Sequence, residues 1–240
     1  MIVSFQRDFV FVKSKKTAGS TVEHVLAPLC GPDDIVTPAG LDEPVAPGGQ
    51  ARNFTADPAV LAAYEAALAN AQRGLRDHLE IDALCRETGG WFTHMTAAQI
   101  RSRLDPDFWS RAFKFTIERH PYEKAVSQAY FSWSLRGAQS GLGFDAFFDR
   151  AVRLGPYFNS RFYLIDGRPA LDRVLRYERL EEELREVASR LGLALPPALP
   201  RIKGGYRTDR RPAREILTGE QKSAIYERCR EEFDFMGYEP

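Results

Sequence analysis

Twice along this chain a short apolar run meets a polar junction and then residues with helical apolar spacing. The first instance is "FVFV" from Phe9 to Val12, then "KSKKTAGST" from Lys13 to Thr21, then "VEHVLAPL". The second is "FKFTIE" from Phe113 to Glu118, then "RH", then a helix opened by Pro121, "PYEKAVSQAYFSW". Four consecutive apolar or β-branched residues read as a buried strand, and Val22, Val25, Leu26 and Leu29 recur at helical intervals over Ser20 to Leu29. Strands that alternate with helices predict an α/β chain whose sheet is mostly parallel and covered on both faces.

The remaining segments fit this plan. Asp57 and Pro58 make an N-cap and first helical position for the Ala-rich "DPAVLAAYEAALANAQRGLRDHL", read as one helix ending near Gly74 or Leu79. Thr96 to Leu104 and "FDAFFDRAV" read as helices, "FYLIDGRPALDRVLRYE" as two strands around Asp166 and Gly167, and "RLEEELREVASRLGL" as a helix ending at Gly192. Thr218 and Gln221 have capping-box spacing for a last helix reaching about Phe235. Residues 31–56 are rich in Gly and Pro without sustained period, which reads as a long surface loop, of a length more often functional than idle. A length of 240 residues suits a single domain spanning 1–240.

Composition narrows the function classes. With 33 basic and 33 acidic residues the formal charge is zero, which argues against non-specific nucleic-acid binding and makes any anion site local. Gln6, Arg7 and Asp8 interrupt the apolar N-terminus, so neither a signal peptide nor a membrane span is expected, and the cytoplasm is the expected location. Cys30, Cys85 and Cys229 lack paired or metal-ligand spacing and read as reduced, structural thiols.

The first N–H groups of a helix have no intrahelical partner and, with the helix dipole, favour an anion at a strand-to-helix turn. Gly19 would permit close backbone approach, Thr17, Ser20 and Thr21 offer hydroxyls, and Lys16 offers a mobile positive charge. The bland alternative is a solvated lysine pair beside a turn glycine. A nucleotide-binding P-loop of the form GxxxxGK[ST] is absent, because the lysine precedes the glycine, and an ATP-using kinase is disfavoured. At the second junction Arg119 falls at the carboxyl end of a strand, where open α/β sheets bind ligands, and Ser127 follows eight residues on. An arginine paired with a nearby carboxylate and a serine facing helix backbone is the structural alternative.

Together "KKTAGST" and "RHPYEKAVSQAY" resemble the two nucleotide motifs of sulfotransferases that use 3′-phosphoadenosine 5′-phosphosulfate (PAPS), particularly carbohydrate sulfotransferases and their soluble bacterial relatives. The match lies at Lys16, Thr17, Ala18 and Gly19 for the 5′-phosphosulfate, and at Arg119, Pro121 and Ser127 for the 3′-phosphate. Lys15 stands in place of a proline, Ser20 and Thr21 exchange the usual hydroxyl order, His120 replaces an acidic or amide residue, and Lys124 replaces arginine. Similarity continues through "THMTAAQIRSRL", "RYERLEEEL" and "LPRIKGGYR". The resemblance implies a P-loop-like three-layer fold and an enzyme that moves a sulfuryl group to an acceptor hydroxyl, with a sugar as the family-weighted acceptor. It implies a nucleotide site of Lys15 to Thr21, Arg119 and Ser127, joined by Lys203, Gly204 and Arg207 of the basic segment "RIKGGYRTDRRPAR".

Such transfer needs alignment and charge stabilisation, and the low charge of the sulfuryl group calls for no metal. Lys16 is the expected catalytic cation and a histidine the expected base near neutral pH. His94 leads that choice, His120 competes, and His24 and His78 read as surface or packing residues. A P-loop-type kinase and a non-catalytic nucleotide-binding protein are the rival readings. Trp91, Trp109, Tyr130 and Trp133 offer faces for a sugar, and core packing explains them equally.

Overall fold

A computed structural model of the chain describes residues 1–39, 44–70, 72, 74–202 and 205–240. Its strands are β1 (Ile2–Ser4), β2 (Phe9–Phe11), β3 (Ile35–Val36), β4 (Phe113–Glu118), β5 (Leu164–Ile165), β6 (Arg168–Pro169) and β7 (Arg173–Arg176). Its helices are α1 (Gly19–Leu26), α2 (Pro58–Ala69), α3 (Leu75–Glu87), α4 (Ala97–Arg101), α5 (Pro106–Arg111), α6 (Pro121–Arg136), α7 (Phe144–Leu154), α8 (Leu180–Arg190), α9 (Ala213–Ile216), α10 (Gly219–Arg228) and α11 (Arg230–Met236). None of these helices is long and apolar enough to cross a membrane.

Five strands form the central sheet in the order β3-β1-β2-β4-β7. Only β1 runs against the others: it pairs antiparallel with β2 and β3, while β2 with β4 and β4 with β7 are parallel. Alternation along the strands splits their side chains between two cores. Ile2, Phe9, Phe11, Phe115, Ile117 and Leu175 pack with α1 and α8, whereas Val3, Val10 and Val12 pack with α2, α3, α4 and α5. The mostly parallel sheet between helical layers is as the strand–helix alternation predicts. A third cluster joins α6, α7, α10 and α11 through Tyr122, Val126, Phe148, Ile225 and Phe233.

Several local readings need correction. The polar residues Gln6, Arg7 and Asp8 lie in the turn of a β1–β2 hairpin, so an unread strand precedes β2. The Ala-rich segment is two helices, because Asn70 leaves the helix with extended backbone and Gly74 caps α3 with Asp77 accepting its N–H at 2.8 Å. Asp166 and Gly167 do turn a small β5–β6 hairpin, but the strand that joins the central sheet is β7. The last helix breaks at Cys229 into α10 and α11. Segment 31–56 is more than a surface loop: β3 edges the sheet, Val36 and Arg52 form a backbone bridge, and the Arg52 side chain donates to the carbonyls of Ala27, Cys30, Gly31, Gly48 and Gln50, its fork of donors holding the loop. The three cysteines are free thiols.

Candidate functional site

Because β2 and β4 are parallel neighbours, both junctions leave the same edge of the sheet side by side. The first is pinned to the second strand before it turns: Thr116 Oγ1 donates to the Val12 carbonyl at 2.6 Å, and Ser14 Oγ donates to the Ile117 carbonyl at 2.5 Å. Residues Lys16 and Ala18 then adopt left-handed backbone, with φ of 61° and 63°. The other described non-glycine residues with positive φ are Asp8, Asn53 and Asp166, types that tolerate this region through local hydrogen bonds. A lysine and an alanine there cost on the order of 1–2 kcal/mol each, strain that folds retain at functional turns.

Gly19 plays a different part from the one its position suggests. It is the first helical residue of α1, and an added Cβ would lie 2.7 Å from Lys13 Cγ. The close approach it permits is that of the Lys13 stem, whose ammonium ends against Glu23 on the next turn of α1. Glu23 also takes the ammonium of Met1. Burial acts to raise the Glu23 carboxyl, but these two cations hold it below the usual carboxylate range. Lys13 therefore splints the junction to the helix.

Two of the junction hydroxyls are likewise turned inward. Thr17 is fully buried with Oγ1 2.8 Å from Ser14 Oγ, and Thr21 Oγ1 donates to the Pro200 carbonyl at 3.2 Å. Ser20 is half-buried in the first turn of α1, which has neither a side-chain cap nor an acid among the described residues. Lys16 places its Nζ 4.0 Å from the ring centroid of Phe131 on α6.

On α6, Glu123, Ser127 and Phe131 are spaced four apart and share one stripe. Eight residues of helix rise about 12 Å, so the stripe runs from the Arg119 end to Lys16. Arg119 donates to Glu123 Oε2 at 3.2 Å and lays its guanidinium 4.2 Å from the Tyr177 ring, while its buried Nε has no hydrogen-bond partner. Arg207 meets the same Glu123 oxygen at 2.6 Å. Its other nitrogens donate to the carbonyls of Asp209 and Arg211, so Arg207 clamps its own segment and is not open to a ligand as expected. Much of the basic segment is similarly spent, Arg211 on Asp209 at 2.6 Å and Arg214 on the Glu239 carbonyl at 2.6 Å. Lys203 and Gly204 lie outside the described residues.

The histidines separate cleanly. His94 Nδ1 lies 2.9 Å from the Lys13 carbonyl, an acceptor, so Nδ1 carries the proton and Nε2 is left as the basic nitrogen. Burial, followed by the charges of Lys13 and Lys15, holds this imidazole well below its ordinary value of 6.5 and hence neutral. His120 instead caps α6, accepting the Tyr122 N–H at Nδ1 over 3.2 Å and donating from Nε2 to the Glu239 carbonyl at 3.0 Å. Both of its nitrogens are engaged, which removes it as a base. His24 contacts the Pro44 carbonyl, and His78 lies near Thr93 and Asp82. Trp91 and Trp109 pack on the β1–β2 core, Tyr130 is buried, and Trp133 meets Phe144 and Phe147 edge-on, so packing accounts for all four aromatics.

Beneath the junction lies a charge cluster that the motifs do not reveal. Lys124, which stands at an anion-binding position in the resemblance, is fully buried between Glu118, at 2.7 Å, and Glu232. Asn159 joins it to the loop: the Lys15 N–H donates to Asn159 Oδ1 at 3.0 Å, and Asn159 Nδ2 donates to the Lys15 carbonyl at 2.9 Å. The Asn159 and Ser160 N–H groups are held by Glu232. Nothing local marks Asn159, since its partner lies 144 residues away. Glu123 had a readable signal, its position four residues after Arg119 on a helix.

Comparison with protein-family models, with curated proteins and with solved structures finds no match to this chain.

Proposed function

We propose that the chain is a PAPS-dependent sulfotransferase with a P-loop-like fold, transferring a sulfuryl group to an acceptor hydroxyl. The observation that carries this reading is the convergence of Lys16, Arg119 and His94 at one edge of the sheet, where β2 and β4 end as parallel neighbours. Two anion-seeking groups at opposite ends of one helical stripe suit a nucleotide with phosphate at both ends. The orphaned Arg119 Nε, buried beside that stripe, is a donor that such a phosphate would satisfy.

The nucleotide supplies the sulfuryl group: the acceptor oxygen–sulfur bond forms as the sulfur–oxygen bond to the 5′-phosphate breaks, and the electron pair stays on that phosphate oxygen. Lys16 neutralises the charge gathering there, with the first N–H groups of α1, which helix geometry leaves without an intrahelical partner, beside it. Arg119 and Ser127 hold the far phosphate and set the register. His94 Nε2 takes the acceptor proton, while the Nδ1–H bond to the Lys13 carbonyl fixes the tautomer and ring.

Calorimetry with adenosine 3′,5′-bisphosphate and with ATP plus magnesium tests this reading. The bisphosphate should bind more tightly, and Arg119→Ala should weaken it about tenfold or more, the value of one charge-assisted contact. Preference for ATP, or unchanged affinity in the Arg119 variant, overturns the assignment. Transfer of labelled sulfate from PAPS to an acceptor in cell extract completes it.

A further inference from the structure

The adjacent lysines of the junction part company. Lys16 turns to α6 and Phe131, whereas the charges that act on Lys15 are those of Arg161 and Arg86. Asn159 grips the Lys15 backbone on both sides, and two residues later Arg161 lies over the rings of Phe158 and Phe162 at 5.0 and 5.3 Å. Phe162 in turn packs 6.1 Å from the His94 ring. From the other side Arg86 of α3 stacks 3.9 Å over Phe92, two residues before His94. The Lys15 charge is also felt at His94 itself.

Lys15 thus acts on the base directly and Arg161 and Arg86 act on Lys15, and little answers these three charges. Among the described residues neither Lys15 nor Arg161 has an ion pair, and Arg86 reaches only Asp82, at 4.0 Å. Like charges repel, and partial burial followed by Arg161 and Arg86 lowers the Lys15 pKa, while Arg86 and Arg161 themselves stay exposed and open to an anion from solvent. Two guanidinium groups braced on aromatic faces present flat donor forks of the kind that match a carboxylate.

We propose that Lys15, Arg86 and Arg161 dock an oxyanion carried by the acceptor itself, so that the substrate is a hydroxyl compound with a carboxylate near the reacting hydroxyl. This rests on the reading of His94 as base. It moves Lys15 from the nucleotide to the acceptor. The anion would also raise the basicity of the His94 imidazole when the substrate is in place, coupling acceptor binding to base strength.

The test titrates the full chain, saturated with adenosine 3′,5′-bisphosphate, with two probes that differ only at C6, a carboxylate against a hydroxymethyl group: 4-nitrophenyl β-D-glucuronide and 4-nitrophenyl β-D-glucoside, followed by saturation-transfer NMR. The glucuronide should bind about tenfold more tightly, as expected for one charge-assisted contact pair. The Arg86→Ala/Arg161→Ala double variant should lose that preference while keeping its bisphosphate affinity. Equal binding of the two probes, or a preference that survives the double substitution, overturns the proposal. Failure of the nucleotide reading would look different: the bisphosphate would not bind, while an arginine-dependent glucuronide preference would persist.

Discussion

At the scale of single residues the junction shows how little a residue's type says about its use. Three of the groups singled out as ligand-facing, the Thr17 and Thr21 hydroxyls and the Gly19 backbone, serve the fold: the hydroxyls bond inward and the glycine makes room for Lys13. The strain falls instead on Lys16 and Ala18. Between His94 and His120 the decision lies in hydrogen bonding, since one keeps a basic nitrogen and the other has committed both. A base whose folded value sits well below 6.5 is deprotonated throughout the neutral range. The acidic limb of kcat/KM, which reports the free enzyme, should therefore fall below pH 6.5, activity being lost as pH drops and the imidazole gains a proton. His94→Ala should abolish that limb and cut turnover by at least a hundredfold, and His120→Ala should cost about 1 kcal/mol of stability as a lost helix cap while leaving the limb in place. A limb that persists in the His94 variant would remove it as the base.

At the scale of elements, helix starts were the most readable features. Asp57 caps α2, Thr218 forms a capping box with Gln221, and Pro121 opens α6, all as spacing predicts, because a cap is made within three residues of chain; Thr96 adds a second box with Gln99. Interruptions inside helical patterns were less readable, as Asn70 and Cys229 show. How elements are tied together was not readable at all. Asn159 fastens the first junction to the Glu118–Lys124–Glu232 cluster from a segment without motif or period. Asn159→Ala removes both partners of the Lys15 backbone and should lower kcat more than it raises KM, because the loop can still bind but no longer holds Lys16 in place. Stopped-flow and steady-state kinetics would separate the two, and Asn159→Gln should fail to rescue, its longer arm missing the paired geometry. A pure loss of stability with unchanged kcat would make the clamp structural only.

Across the whole molecule the buried cluster connects β4, α6 and α11 beneath the site. Burial and the Glu232 charge outweigh Lys124 and push the Glu118 carboxyl up to about 7, from an ordinary 4.5. The folded chain then holds this proton more tightly than the unfolded one, so Glu118 contributes most stability below pH 4.5 and loses it as pH rises toward 7. His94, shifted the other way, gains stability with pH over part of the same window, so the contribution of Glu118 is read by difference. In urea unfolding at pH 5, 6, 7 and 8, Glu118→Gln should gain on the wild type as pH rises and level off above 7; a constant difference would contradict the assignment. Replacing Lys124 by Ala leaves two buried carboxylates unpaired and should cost about 3–5 kcal/mol. The sequence alone determined the strand–turn–helix units, the caps of α2 and α10 and the largely parallel sheet, because each depends on contacts within a turn or on the alternation of strands with helices. Tertiary structure decided which histidine keeps a free nitrogen, which lysine meets α6, and that Lys124 is core rather than ligand. Those outcomes rest on burial and on partners up to 144 residues away, and desolvation of a charge is a property of the assembled fold, not of its neighbours in the chain.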